Sequence, residues 1–284
     1  MTGTAPTAEE LAWTGVGGFQ LRGMRFLPAK PLRAVVVLAH GINDHGGRYL
    51  HVIDALVARD LAVYVIDHRG HGRSDGPRSR VGRFDDLVDD FELVANQAAS
   101  EQPDTPLYVL GHSMGGLIAT RYALRRQSDL AGLILSAPAI VIDESTSPIL
   151  KRLLLGLARI GPNLALLPER QGLLSRDPEV ERRKQDDPIC GNQRTTLGTA
   201  RALLRASEDT QNHLDELTLP LLVMHGGDDT LTFPSGSRLV IERAASRDKT
   251  LKIWPGLRHE IFNEPVGPEV ITYLVEWLEQ RINC

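Results

Sequence analysis

Hydrophobic positions fall along this chain in two patterns. The first is the unbroken run Ala34-Val35-Val36-Val37-Leu38-Ala39, followed by similar runs at 61–66, 107–110, 130–135 and 219–224, and a shorter one at 251–254. Runs this short, with no alternation, mark strands of a parallel sheet covered on both faces. The second is helical spacing. Val52, Ile53, Leu56 and Val57 share a face within 49–59. So do Phe84, Leu87, Val88, Phe91, Val94, Ala95 and Ala98, and near the end Val270, Tyr273, Leu274, Trp277 and Leu278. Strands alternating with helices predict an α/β domain, a mainly parallel central sheet flanked by helices. Residues 13–27 alternate apolar and polar instead, as an edge hairpin does. Asp85, Asp86, Asp89 and Asp90 share the other side of the second helical stripe, where a solvated face is expected rather than a metal cluster.

One region breaks the alternation. Residues 139–218 show helix and loop patterns without a convincing strand. They are expected to form a helical cap inserted between two core strands, leaving 1–138 and 219–284 as the core.

Composition narrows the partners. The chain has 284 residues, 42% hydrophobic and 24% charged, enough for one large domain. A net charge of −4 argues against nucleic acid. No apolar run approaches the roughly 20 residues a spanning helix needs, and residues 1–11 lack a signal-peptide core. With two cysteines, Cys190 and Cys284, no disulfide framework is expected, and a cytoplasmic setting is.

Candidate chemistry sits where the runs end. Val109-Leu110 leads into Gly111-His112-Ser113-Met114-Gly115, and a helix-like run begins at Leu117. A turn this tight strains its central residue, and flanking glycines let strand and helix pass without Cβ clashes. Its hydroxyl is thereby presented at a helix N-terminus. A serine needs a base, and the base an orienting carboxylate. In this strand–turn–helix context the chain order is serine, acid, histidine. Of the later histidines, His213 falls in the cap. His225 reads as a structural residue at a strand end. His259, just past the last strand, is the candidate base. Asp228 and Asp229 both qualify as the acid, since spacing does not separate neighbours. Two N–H groups should face the developing oxyanion: that of Met114, after the serine, and that of Ile42, in the loop ending the first long run. The histidine-rich segment His68-Arg69-Gly70-His71-Gly72-Arg73-Ser74 lacks metal-ligand spacing and reads as a buried hydrogen-bonded loop.

These motifs together resemble the monoacylglycerol lipase family of α/β-hydrolases. The matching residues are His40-Gly41 with His45, Arg48 and Tyr49; the segment from Asp67 to Ser74; Gly111 to Gly116; Leu133 to Pro138; His225-Gly226 with Asp229; and His259-Glu260. The resemblance implies the α/β-hydrolase fold with Ser113, Asp229 and His259 as catalytic residues and Ile42 and Met114 as oxyanion donors. It also implies that Asp44 and Arg48 lie at the polar end of the pocket, although Asn43-Asp44 replaces the family's usual Gly-Glu. The implied reaction is hydrolysis of a monoacylglycerol through an acyl-serine, with no metal or organic cofactor. Rival readings are a lysophospholipase or short-chain esterase and, in another class, a silent ligand-binding scaffold.

Within the cap, Leu150, Leu153, Leu154, Leu157 and Ile160 share one helical face, with Lys151, Arg152 and Arg159 opposite. This suits a peripheral membrane contact or packing on the core, with Leu150 and Leu154 expected to meet the acyl chain.

Overall fold

The computed structural model describes residues 7–144, 147–164, 172–190 and 194–282. Eight strands form one sheet in the order β1-β2-β4-β3-β5-β6-β7-β8. Its parallel part comprises β3 (Ala34–Ala39), β4 (Leu61–Asp67), β5 (Leu107–His112), β6 (Gly132–Ser136), β7 (Leu221–Gly226) and β8 (Lys249–Trp254). The antiparallel hairpin is β1 (Thr7–Thr14) and β2 (Gln20–Leu27), with β2 against β4. Its first strand starts earlier than alternation suggested, because Glu9 and Glu10 sit exposed on the sheet's edge, where charge is tolerated.

The unbroken apolar runs have the expected cause. Val35, Val37 and Ala39 pack on the side of α2 (Phe84–Glu101) and α3 (Met114–Arg126). Ala34, Val36 and Leu38 face α1 (Leu50–Val57) and α8 (Gly267–Ile282). Both faces of β3 are dry, and none of its positions is polar.

Of the α2 aspartates, Asp85, Asp86 and Asp89 keep the partly solvated face that was expected, and Asp90 departs from it. Asp90 is completely buried. Arg69 clamps it through Nε and Nη2 at 2.6 and 2.7 Å, and the Val16 N–H donates to it at 3.0 Å. Asp85 accepts from Arg121 and Arg125 of α3, and Asp89 from Arg125. Asp90 thus ties the helix to the loop after β4, while Asp85 and Asp89 bridge to α3 from a partly exposed face.

Between β6 and β7 lie three helices: α4 (Pro148–Ile160), α5 (Pro178–Asp186) and α6 (Leu197–Gln211). No strand occurs there among the described residues. The end of α6 joins the core: Ala206 packs in the α2–α3 layer, and Ser207 Oγ donates to the Ile140 carbonyl at 2.6 Å. α7 (Pro234–Arg243) completes the helices.

Topology places the site. Chain order steps from β3 to β4 on one side and returns to β5 on the other, so β3 and β5 flank the switch point where such sheets bind ligands. Ala39 pairs with Gly111, which brings the loops after both strands together.

Candidate active site

Ser113 has φ 55° and ψ −119°, a conformation that side chains rarely adopt. Three backbone hydrogen bonds hold it: its N–H donates to Ser136, and its carbonyl accepts from Leu117 and Ala139. The glycines on either side are steric necessities. A Cβ on Gly115 would stand 2.1 Å from the Ala39 carbonyl oxygen, and one on Gly111 would stand 2.3 Å from that of Gly115. Strand and helix therefore cross at backbone contact, as the spacing predicted.

β7 and β8 supply the other groups. Asp229 is buried and Asp228 is exposed, so the turn after β7 separates the neighbours that spacing left equivalent. Asp229 Oδ2 lies 2.7 Å from His259 Nδ1, 3.0 Å from His225 Nε2 and 2.9 Å from Thr232 Oγ1. Its Oδ1 accepts from the Leu231 and Thr232 N–H groups at 2.8 and 3.2 Å. Burial alone would raise this carboxyl, but the His259 charge and the bonds from His225 and His259 hold it below the usual carboxylate range. Burial likewise opposes charge on His259, yet the Asp229 carboxylate prevails and its pKa is raised. His225 is indeed structural: its Nδ1 meets Ser237 Oγ at 2.6 Å while Nε2 supports the acid. Thr232 and Ser237 carried no sequence signal, because a hydroxyl in a polar turn is unremarkable until the fold aims it.

With Nδ1 committed to Asp229, the remaining nitrogen of His259 is the one able to accept a proton. His259 and Ser113 line one cavity of about 490 Å³ together with Ile42 and Met114. Met114 opens α3, so its N–H is among those a helix leaves without an internal partner. The loop bearing Ile42 is pinned behind the site: His40 Nδ1 donates to the Gly41 carbonyl at 2.7 Å, and His40 Nε2 accepts from the His68 N–H at 2.9 Å. His112, beside the serine, is pushed down to about 3 by burial, and its ring stands 4.8 Å from that of His259. It is neutral at any working pH.

The segment 68–74 is buried around Asp67 except at the exposed Arg73, and the Asp67 carboxylate accepts from the Gly46 and Arg73 N–H groups at 2.8 and 2.9 Å. Its backbone and His71, whose Nδ1 donates to the Arg69 carbonyl at 2.9 Å, bond as expected, but His68 does not. Among the described residues, neither ring nitrogen of His68 has a hydrogen-bond partner, and burial holds that ring neutral.

The rest of the cavity divides by chemistry. Ile142, Leu155, Leu197, Leu203 and Leu204 supply an apolar wall, largely from α4 and α6, and Asp44, Lys184 and Glu260 supply a charged one. Arg48 stands behind that charged wall rather than in it. It donates to Asp44 at 3.1 Å and to both oxygens of Glu260 at 2.8 and 2.7 Å, so the expected pocket arginine is a brace between two lining carboxylates. Burial would raise Asp44, but Arg48 together with His40, Lys184 and His112 holds the carboxyl well below the usual range. The side chains of Leu150 and Leu154 lie outside the described residues. Lys184 was missed because nothing distinguishes it within the polar stretch Glu181-Arg182-Arg183-Lys184 until α5 is seen to turn that face inward.

Comparison with known proteins agrees with this architecture. The family profile described as serine aminopeptidase, S33, matches residues 30–266. A monoacylglycerol lipase of Mycolicibacterium smegmatis is 39% identical over 97% of this chain and 99% of its own length. The chain belongs to the monoacylglycerol lipase family of serine hydrolases. The human monoglyceride lipase is 34% identical, over 89% of this chain and 85% of its own. The crystal structure of the Paleococcus ferrophilus monoacylglycerol lipase superposes with a TM-score of 0.79 at 29% identity, covering 98% of this chain and 100% of that one. The family's α/β-hydrolase fold is thus the fold described above.

Proposed function

We propose that this protein hydrolyses monoacylglycerols to a fatty acid and glycerol, with Ser113 as nucleophile, His259 as base and Asp229 as its orienting acid. The observation that carries the reading is the Asp229–His259 contact at 2.7 Å, with His259 lining the same cavity as a serine in a strained turn. His259 takes the Ser113 proton as Oγ attacks the ester carbonyl, and Asp229 stabilises the imidazolium. The N–H groups of Ile42 and Met114 stabilise the oxyanion. His259 then protonates the departing glycerol oxygen, which leaves acyl-Ser113, and finally activates the water that releases the fatty acid. No step requires a metal or an organic cofactor.

Residues 139–218 act in this reading as the cap. Their apolar side chains meet the acyl chain, while the charged wall meets the head group. The outer side of α4 supports a peripheral membrane contact: Leu153, Leu157 and Ile160 are exposed, Ile160 by 87%, where core packing would have buried them. No helix among the described residues is long and apolar enough to cross a membrane.

The test is a panel of monoacylglycerol, diacylglycerol, lysophospholipid and p-nitrophenyl esters run on the wild type and on Ser113→Ala. The expected result is highest kcat/KM on monoacylglycerol and loss of turnover in the variant. A higher kcat/KM on lysophospholipid, or activity surviving in Ser113→Ala, overturns the proposal.

A further inference from the structure

Two cations line the cavity among the described residues, Lys184 and Arg201; of these it is Lys184 whose charge acts on Asp44 and Glu260, and the helix that carries it belongs to the insertion between β6 and β7. Its side chain is almost entirely buried. Lysine is seldom buried without a purpose, because its ammonium gives up strong hydration. Asp44 and Glu260, from the loops after β3 and β8, line the same wall. Both carboxylates are already engaged from behind: Asp44 accepts from Arg48, Tyr49 and the His45 N–H, and Glu260 from Arg48 and Asn263. With Arg48 behind them, Lys184, Asp44 and Glu260 form a formally neutral group, and Asp143 and Arg201 on the same lining add one charge of each sign. A neutral wall offering both donors and acceptors suits an uncharged polyol rather than a phosphate or a simple alkyl group.

We infer that Lys184 reads the head group: its ammonium donates to a free hydroxyl oxygen of the glycerol whose ester carbonyl stands at Ser113, selecting polyol esters over esters of plain alcohols. The inference rests on the proposed monoacylglycerol reading and goes beyond it by assigning selectivity to a residue of the cap. Lys184 takes no part in the chemistry. Removing its donors therefore penalises a substrate in proportion to the hydroxyls that it presents.

The test compares kcat/KM for a monoacylglycerol and for the ethyl ester of the same fatty acid, in the same detergent micelles. Lys184→Met keeps the stem's length and removes the donors. We expect kcat/KM on the monoacylglycerol to fall about tenfold, mostly through KM, while the ethyl ester changes less than about twofold. Lys184→Arg, which restores donors, should recover part of the preference. An equal loss on both esters shows a structural strut and overturns the inference, and so does a preference that Lys184→Met leaves intact. A wild type that cleaves the ethyl ester as well as the monoacylglycerol overturns the substrate reading itself, and the role of Lys184 with it. The two failures are therefore distinguishable.

Discussion

The loops at the strand ends and the insertion between β6 and β7 border the same cavity but are built on opposite principles. In the loops, each functional group is held by others. The Asp229 carboxylate makes five hydrogen-bonding contacts to four residues, His40 bonds at both ring nitrogens, and Ser113 is fixed through its backbone on either side. Fixed partners keep an imidazole in one tautomer and an oxyanion site in place before substrate arrives, which is what reaction requires. The insertion instead meets the cavity mainly through leucines, with Asp143, Lys184 and Arg201 as its charged groups, while α4 leaves Leu153, Leu157 and Ile160 in water. Under the proposed function, reactivity belongs to the strand-end loops and selectivity to the insertion.

Changes in those loops should then reduce turnover of every ester, and changes in the insertion should alter which ester or which surface is used. The largest effect is expected at the acid. Asp229→Asn should lower kcat by about 10⁴-fold on any ester, as loss of the orienting carboxylate does in serine hydrolases. Asp228→Asn, one residue away and exposed, should stay within about twofold. Steady-state rates on a p-nitrophenyl ester check both, and equal losses would dissolve the distinction between the two aspartates.

A smaller effect concerns pH. The base must be neutral to accept the serine proton, and Asp229 raises the pKa of His259 above the ordinary 6.5 against the cost of burial. Activity should therefore be lost as pH falls through a value above 6.5. With Asp229→Asn the carboxylate's pull is gone while burial remains, so the limb of the residual activity should move to lower pH. A kcat/KM profile reads both shifts. A limb that stays put would mean another group controls it.

The smallest effect on chemistry belongs to the insertion's outer face. Leu153→Asp with Leu157→Asp should weaken sedimentation with anionic liposomes severalfold, yet leave turnover of a soluble short-chain ester unchanged. Unaltered liposome binding removes the membrane role from α4.

How far each region could be read from sequence follows the same division. The parallel strands were legible because a strand buried on both faces tolerates no polar residue. Ser113 was legible because backbone contact at Gly111 and Gly115 excludes any side chain there. The pairing of Asp229 with His259 was half legible: loop position gave the candidates, but the direction of the turn chose between adjacent aspartates. Asp90 misled for a related reason. Helical spacing put it beside Asp86 and Asp89 on the polar side, and only the approach of Arg69 from the loop after β4 turned that position into a buried ion pair.

Sequence by itself determined the layered α/β order and the strained serine turn, because each rests on a local rule of periodicity or steric exclusion that no distant residue can waive. Tertiary structure alone decided which aspartate faces inward, that Arg48 braces the wall instead of lining it, and that Lys184 enters the pocket. These depend on which loops meet across the sheet's edge, and charge and hydrogen bonding act through space between residues that the chain keeps far apart.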